Sequence, residues 1–217
     1  MKNHRLLAGL LLGATLLPAL QGCFPIVAAG VTTGVLATID RRTVGAQTED
    51  ETIEWKASAR LRENFGEKVH VNFTSYNRKV LLTGEVPSAE IKAEVDRLVT
   101  TLPNVLGTYN ELVTASASAY SARSNDTYIT SKVKARFIDV GRFNAVHVKV
   151  VTEAGAVYLL GLVTQKEADA AVDITRTTSG VVKVINVMEI ITDGKARELD
   201  LPPPDKSKQV DPNPQKG

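Results

Sequence analysis

Val71–Val86 reads VNFTSYNRKVLLTGEV, and Val148–Val163 reads VKVVTEAGAVYLLGLV. The two stretches align without a gap over sixteen positions, so that Val80, Leu82, Gly84 and Val86 fall on Val157, Leu159, Gly161 and Val163. Just upstream, Val69-His70-Val71 falls on Val146-His147-Val148. Further upstream, Ile53-x-x-Lys56-x-x-Ala59-Arg60-Leu61 falls on Ile129-x-x-Lys132-x-x-Ala135-Arg136-Phe137, and downstream Asn110 meets Asn186 after a one-residue gap. Self-similarity at a fixed offset is the signature of a repeated structural unit. The chain carries two copies of one unit, each about sixty residues long.

Both copies share one local pattern. A short amphipathic helix comes first, with Ile129, Val133 and Phe137 at i, i+4 and i+8. Alternating apolar residues then mark two strands joined by a tight turn, Tyr76-Asn77-Arg78 in one copy and Glu153-Ala154-Gly155 in the other. The second helix opens at Thr164-x-x-Glu167, a capping-box pattern. In the first copy Ser88 is the expected cap, and Ile91, Val95, Leu98 and Leu102 form the buried stripe. A last strand is expected near 105–114 and 181–192. The order α-β-β-α-β predicts an α+β fold, two tandem two-layer sandwiches with a three-stranded mixed sheet each, over residues 53–115 and 124–192.

Ahead of the repeats, Lys2, His4 and Arg5 precede an apolar run from Leu6 to Leu20, followed by Gln21-Gly22-Cys23. A basic start, a short apolar stretch and a small residue before a break read as a secretory signal over residues 1–22. The run is about fifteen residues, short of the roughly twenty a membrane-crossing helix needs. Leu20-Gln21-Gly22-Cys23 resembles a bacterial lipobox, which implies cleavage before Cys23 and acylation of that cysteine. Phe24, standing where an aspartate would favour retention at the inner membrane, implies sorting to the inner leaflet of the outer membrane. Residues 24–40 are apolar and rich in Ala, Gly and Thr; residues 40–52 are polar and linker-like, so that 23–52 is expected to act as a leash.

The 217 residues include 26 Lys and Arg against 24 Asp and Glu. Lys2 and Arg5 lie in the leader, so the mature 195 residues balance at 24 of each. A neutral protein has no general attraction for nucleic acid, and an anionic partner must be met by a local patch. Cys23 is the only cysteine; once acylated, it leaves no thiol for a disulfide or a nucleophile. No G-x-S-x-G, H-E-x-x-H or P-loop is present, and carboxylates alternate with bases along the helices as on solvated faces. A non-enzymatic protein without cofactor is expected. Residues 193–217 hold five prolines and few apolar side chains, a composition expected to stay disordered.

Three sets of residues stand out inside the repeats. Gly84 and Gly161 occupy the strand face expected to meet the helices, where a side chain would push the helix away. His70 and His147 sit at matched positions of separate units with no cysteine or carboxylate cluster nearby, so no metal site is expected. Val151, Tyr158, Leu160 and Leu162 make the opposite face of the second sheet apolar, whereas Thr74, Leu81, Thr83 and Glu85 make its counterpart more polar. That apolar face must be covered, by the first unit or by another protein.

The first helix of the second unit holds the candidate binding surface. With Ile129, Val133 and Phe137 inward, Tyr128, Ser131, Lys132 and Ala135 share an outward face, with Lys134 on another exposed side and Arg123 preceding the helix. Four bases and one acid lie between Arg123 and Arg136. An exposed ring beside cations suits a membrane interface, where the ring sits at headgroup depth and lysine reaches phosphate. An ordinary solvated lysine face fits the same residues.

Two such units, each with a glycine near the end of the second strand, behind a lipobox and Asp40-Arg41-Arg42-Thr43-Val44-Gly45-Ala46-Gln47, resemble the BON domain family in its dual-domain lipoproteins. Ser124-Asn125-Asp126-Thr127 and Gly161-Leu162-Val163-Thr164 add to the match. The resemblance spans about residues 20–192. It implies a periplasm-facing outer-membrane lipoprotein whose second BON domain binds anionic phospholipid, phosphatidylglycerol or cardiolipin, through that helix. Arg123, Thr127, Tyr128, Ser131, Lys132, Lys134 and Ala135 are the implied contacts, Tyr128 standing where the family has tryptophan. It also implies a role in envelope integrity at the division site. An adaptor for envelope-assembly or cell-wall amidase proteins, working through Val151, Tyr158, Leu160 and Leu162, is the alternative. The first unit lacks the motif: Trp55 falls one position beyond the matching Glu54 and is expected at an interdomain contact, not at a second membrane contact.

Overall fold

The computed structural model describes residues 40–66, 68–115 and 120–201, without the side chains of 120–122. The leader, Cys23, the apolar segment up to residue 39 and the tail from 202 lie outside the described residues. In the first unit, α1 (Val44–Phe65) is followed by β1 (His70–Tyr76), β2 (Lys79–Val86), α2 (Ala89–Thr100), β3 (Gly107–Asn110) and β4 (Val113–Thr114). The second repeats the order with α3 (Tyr120–Val140), a 3₁₀ turn at Ala145–His147, β5 (Val148–Glu153), β6 (Ala156–Val163), α4 (Gln165–Arg176), β7 (Lys183–Asn186) and β8 (Glu189–Ile190). A short α5 (Asp193–Leu199) follows.

Each hairpin has a two-residue loop, Asn77-Arg78 and Ala154-Gly155, with both φ angles positive. That is the type I′ geometry whose twist matches paired strands. The central strand pairs antiparallel with its hairpin partner and parallel with the last strand, so each sheet is mixed. The last strand is interrupted and each sheet therefore has four segments. Register does not slip across the break: Leu82 pairs with Asn110 and Glu85 with Val113. The repeated asparagine explains the interruption. Asn110 Oδ1 accepts from the Leu112 amide and Asn186 Oδ1 from that of Met188, turning Leu112 and Met188 inward, where both are buried.

The expected core faces are the observed ones. Ile53, Ala57 and Leu61 pack on Val80, Leu82, Val86, Val95, Val99 and Leu102. Ile129, Val133 and Phe137 pack on Val148, Val150, Val157, Leu159, Val163, Ala168, Ala171 and Ile174. The Ser88 cap and the Thr164–Glu167 capping box are both formed. The first helices, though, run 22 and 21 residues and are not short. Residues 44–52, read as linker, are the first turns of α1, capped by Thr43. Arg123 lies inside α3 and does not precede it.

Gly84 and Gly161 are required for a different reason from the one expected. A Cβ on Gly84 would overlap the carbonyl oxygen of His70 on the neighbouring strand, and one on Gly161 that of His147. The obstruction is backbone across the hairpin, not a helix. Gly84 also has φ +115°, a conformation costly for any other residue.

The two sheets meet through their outer faces. Tyr76 and Leu81 of the first unit form one apolar cluster with Tyr158, Leu160 and Leu162 of the second, and Tyr109, Val151, Ile185 and Leu199 pack on its margin. Thr83 and Glu85 are buried in the same sheet face despite their polarity. The face offered as an adaptor surface is thus covered by the chain itself. Asn72 Nδ2 to Glu153 Oε2 (2.9 Å), Lys79 Nζ to Glu189 Oε2 (2.9 Å) and Lys149 Nζ to Glu54 Oε1 (3.3 Å) cross-link the units. Trp55 takes no part: it is 68% exposed on α1.

Candidate functional site

The predicted outward residues of α3 divide between two sides of the helix. Arg123, Thr127, Ser131 and Lys134 line a cleft of about 510 Å³ whose other wall includes His70 and Asn72 of the first unit. Tyr128 and Ala135 face solvent, Tyr128 at 62% exposure. Lys132 Nζ sits 4.6 Å from the centre of the Tyr128 ring, a cation–π contact, and also donates to the carbonyl oxygen of Ser179. Lys132 therefore fixes the ring over the loop after α4 and is not a loose cation. The hydroxyls of Thr127 and Ser131 turn back to the helix carbonyls of Arg123 and Thr127.

Arg136, counted among the basic residues of this stretch, points away from that surface: its Nη1 donates to Ile174 O (2.9 Å) and Thr178 Oγ1 (2.8 Å). Asp126 points inward too, and its carboxylate accepts from the amides of Ala154 (2.9 Å) and Gly155 (2.8 Å) at the hairpin loop. Asp50 does the same for Asn77 (2.8 Å) and Arg78 (2.7 Å). Asp50 and Asp126 stand three residues before Ile53 and Ile129, so the repeat extends one helical turn upstream of those residues and carries this signal in the sequence. Sequence reasoning also missed Ile138, 71% exposed at the end of α3. A second cleft, about 390 Å³, is lined by Lys134, Ile138, Val146 and Lys149 together with Asp40 and Arg42.

The segment read as linker forms two clamps. Arg41 is buried and forks to Glu167 (2.7 and 3.0 Å) and Asp200 (2.7 and 2.9 Å), with a fifth bond to Leu162 O (2.9 Å). Arg42 pairs with Asp40 (2.7 Å) and Asp50 (2.8 Å) and stacks 4.1 Å from the Tyr76 ring centre. Adjacent arginines thus fasten the incoming chain to the second and the first unit. Burial alone would lower the Arg41 guanidinium, but its two carboxylates outweigh burial and raise it further. Burial pushes the Glu167 carboxyl up, while Arg41 and the Thr164 amide hold it below the usual range; Arg41 holds Asp200 low as well. His147 lies against the same node, Nε2 3.5 Å from Asp200 Oδ1, and burial followed by the Arg41 charge keeps its pKa low. Asp200 falls in the tail expected to be disordered; α5 and this pairing hold residues 193–200 on the fold.

His70 departs from expectation. Its Nδ1 is 2.8 Å from Glu85 Oε2, and Glu153 of the second unit joins them, so a carboxylate cluster does accompany it.

A BON domain profile matches residues 49–116 and 125–192. The chain is 39% identical over 184 residues to "Outer membrane lipoprotein DolP" of Haemophilus influenzae, covering 84% of this chain and 94% of that protein. It is 32% identical over 155 residues to "21 kDa hemolysin" of Actinobacillus pleuropneumoniae, covering 70% and 80%. The matched segments coincide with the two α-β-β-α-β units, and the chain belongs to the BON domain family, as a tandem of two such domains.

Proposed function

We propose that this protein is a non-enzymatic outer-membrane lipoprotein, held by acylated Cys23 and facing the periplasm, whose second BON domain meets anionic phospholipid through the outer side of α3. The observation that carries this reading is one of placement. The incoming chain at Asp40 and Arg42 lines the same cleft as Lys134 and Ile138 of α3. A tether to the membrane therefore leaves the fold beside the helix that presents Tyr128, Ala135 and Ile138 to solvent. Tyr128 and Ile138 supply interfacial contact; Lys134, exposed at the cleft beside Ile138, and Lys132, held against the Tyr128 ring, supply charge, a base near an anionic surface contributing about 1 kcal/mol.

Two acyl chains hold a protein on a membrane without further help. The α3 surface then acts on orientation and on which anionic region the lipoprotein occupies, supporting envelope integrity and enrichment at the division site. Cosedimentation with vesicles tests this. The protein lacking its acyl chains should bind vesicles containing phosphatidylglycerol or cardiolipin and leave neutral ones. Tyr128→Glu should reduce that binding at least tenfold, and rising salt should weaken it through screening. Equal binding to neutral and anionic vesicles, or an unaffected Tyr128→Glu variant, would refute the assignment.

A further inference from the structure

We infer that His70, Glu85 and Glu153 form a divalent transition-metal site that ties the two BON domains together. The three residues come from β1, β2 and β5, and one ligand atom from each lies within 4.8 Å of the other two. His70 and Glu85 are opposite partners on adjacent strands, and their side chains are only 19% and 6% exposed. Glu153 ends β5 of the other domain, and Asn72 Nδ2 donates to its Oε2 at 2.9 Å. An imidazole and two carboxylates with an orienting amide behind one of them have the composition of a three-ligand site with its outer shell.

Geometry favours one class of ion. A tetrahedral ion with bonds near 2.05 Å places its ligand atoms about 3.4 Å apart. His70 Nδ1 and Glu85 Oε2, at 2.8 Å, already lie closer than that and part by about half an ångström to take the ion, and Glu153, at a strand end, completes the triad within 4.8 Å of both. His70 and Glu153 both line the 510 Å³ cleft, which leaves room for water as the fourth ligand. Arg123 and Lys134 line the same cleft. Their charge opposes any divalent ion alike, so the ligand type decides, and the imidazole nitrogen suits Zn²⁺ better than Mg²⁺ or Ca²⁺. Because Glu153 belongs to the second domain and His70 to the first, the bound ion acts as a strut across the seam.

Equilibrium titration of the metal-free mature lipoprotein in detergent with Zn²⁺ tests the site. One ion should bind per chain and raise the melting temperature. His70→Ala and Glu153→Gln should each weaken binding at least tenfold and abolish the thermal shift, while Asn72→Ala weakens binding about tenfold and His147→Asn leaves it unchanged. Glu153 lies at the cleft edge, so its variant should keep the parent circular dichroism and serves should His70→Ala misfold. Absence of saturable Zn²⁺ binding, or binding that Glu153→Gln leaves untouched, would overturn the inference.

Discussion

Arg41→Ala should cost this protein about 3 kcal/mol, although the residue lies in a stretch that reads as linker. The side chain is 3% exposed and makes five hydrogen bonds, four of them to carboxylates. Removing one partner of a buried ion pair typically costs about 3–5 kcal/mol, because the remaining charge stays desolvated. Two features place Arg41 at the low end. Asp200 is 40% exposed, so water can replace the guanidinium, and Glu167 keeps its bond from the Thr164 amide at 2.7 Å. At about 2–4 °C per kcal/mol for the two packed domains melting together, the melting temperature should fall by about 6–12 °C. Arg41→Lys should recover part of the loss, since an ammonium keeps the charge but cannot fork to two carboxylates.

The control is Arg176→Ala. Its pair with Asp173 is exposed, with side chains 71% and 52% accessible, and should contribute almost nothing. Hydrogen exchange locates the effect: α5 should lose part of its protection in Arg41→Ala while α4 keeps it, because the Asp200 tie adds to the packing of Ala196 and Leu199 in holding α5 on the fold. A melting temperature within 2 °C of the parent, or a loss no greater than that of Arg176→Ala, would refute the reasoning.

The same node should make the protein acid-sensitive in two stages. His147 has a folded pKa held below its ordinary value of about 6.5, so stability is complete above that pH and is lost as pH falls through it, because the unfolded chain protonates first. Glu167 and Asp200 are held low, and their contribution vanishes at lower pH as each protonates in the fold; His147→Asn should remove the first stage only, read by chemical denaturation from pH 8 to 4. Gly84→Ala should destabilise more than Gly161→Ala, because both overlap a facing carbonyl but only Gly84 also has φ +115°; equal thermal losses would contradict this, and Gly84→Val should unfold the first domain. Asp126→Ala strands two hairpin amides and should cost about 2–3 kcal/mol, with Asp126→Asn intermediate, measured by urea denaturation.

What could be read from the chain follows the range of the interactions involved. Strands, turns and helix faces repeat with periods of 2 and 3.6 residues, and the duplication displays each pattern twice, so Val80, Leu82 and Val86 could be placed with Val157, Leu159 and Val163. Caps such as Thr164–Glu167 are local and equally visible. Polar residues that act at long range are not periodic. Arg41 reaches Glu167 and Asp200 across 126 and 159 positions, and in a neutral sequence each of these looks like another solvated charge. The covering of Tyr158, Leu160 and Leu162 was foreseeable from their apolarity. That Glu85 would be buried in the facing sheet, beside His70 and Glu153, was not, because its polarity argues for solvent until the partner domain is in place.

The clamps also bear on the anchor proposed at Cys23. A leash from residue 24 to 52 would extend to about 100 Å at about 3.5 Å per residue, long enough for the domains to present any face to the membrane. With Arg41 and Arg42 fastened, only residues 24–39 remain between Cys23 and the described fold, at most about 55 Å. The chain enters in a cleft shared with Lys134 and Ile138. On the proposed function, anchoring at Cys23 turns α3 binding into an encounter at high effective concentration, where a surface of two or three bases and one ring suffices. Such a patch binds anionic vesicles only weakly from solution and is strong enough to orient a protein already attached. On this reading a tyrosine at position 128 suffices, because the proposed covalent lipid supplies attachment and α3 supplies orientation.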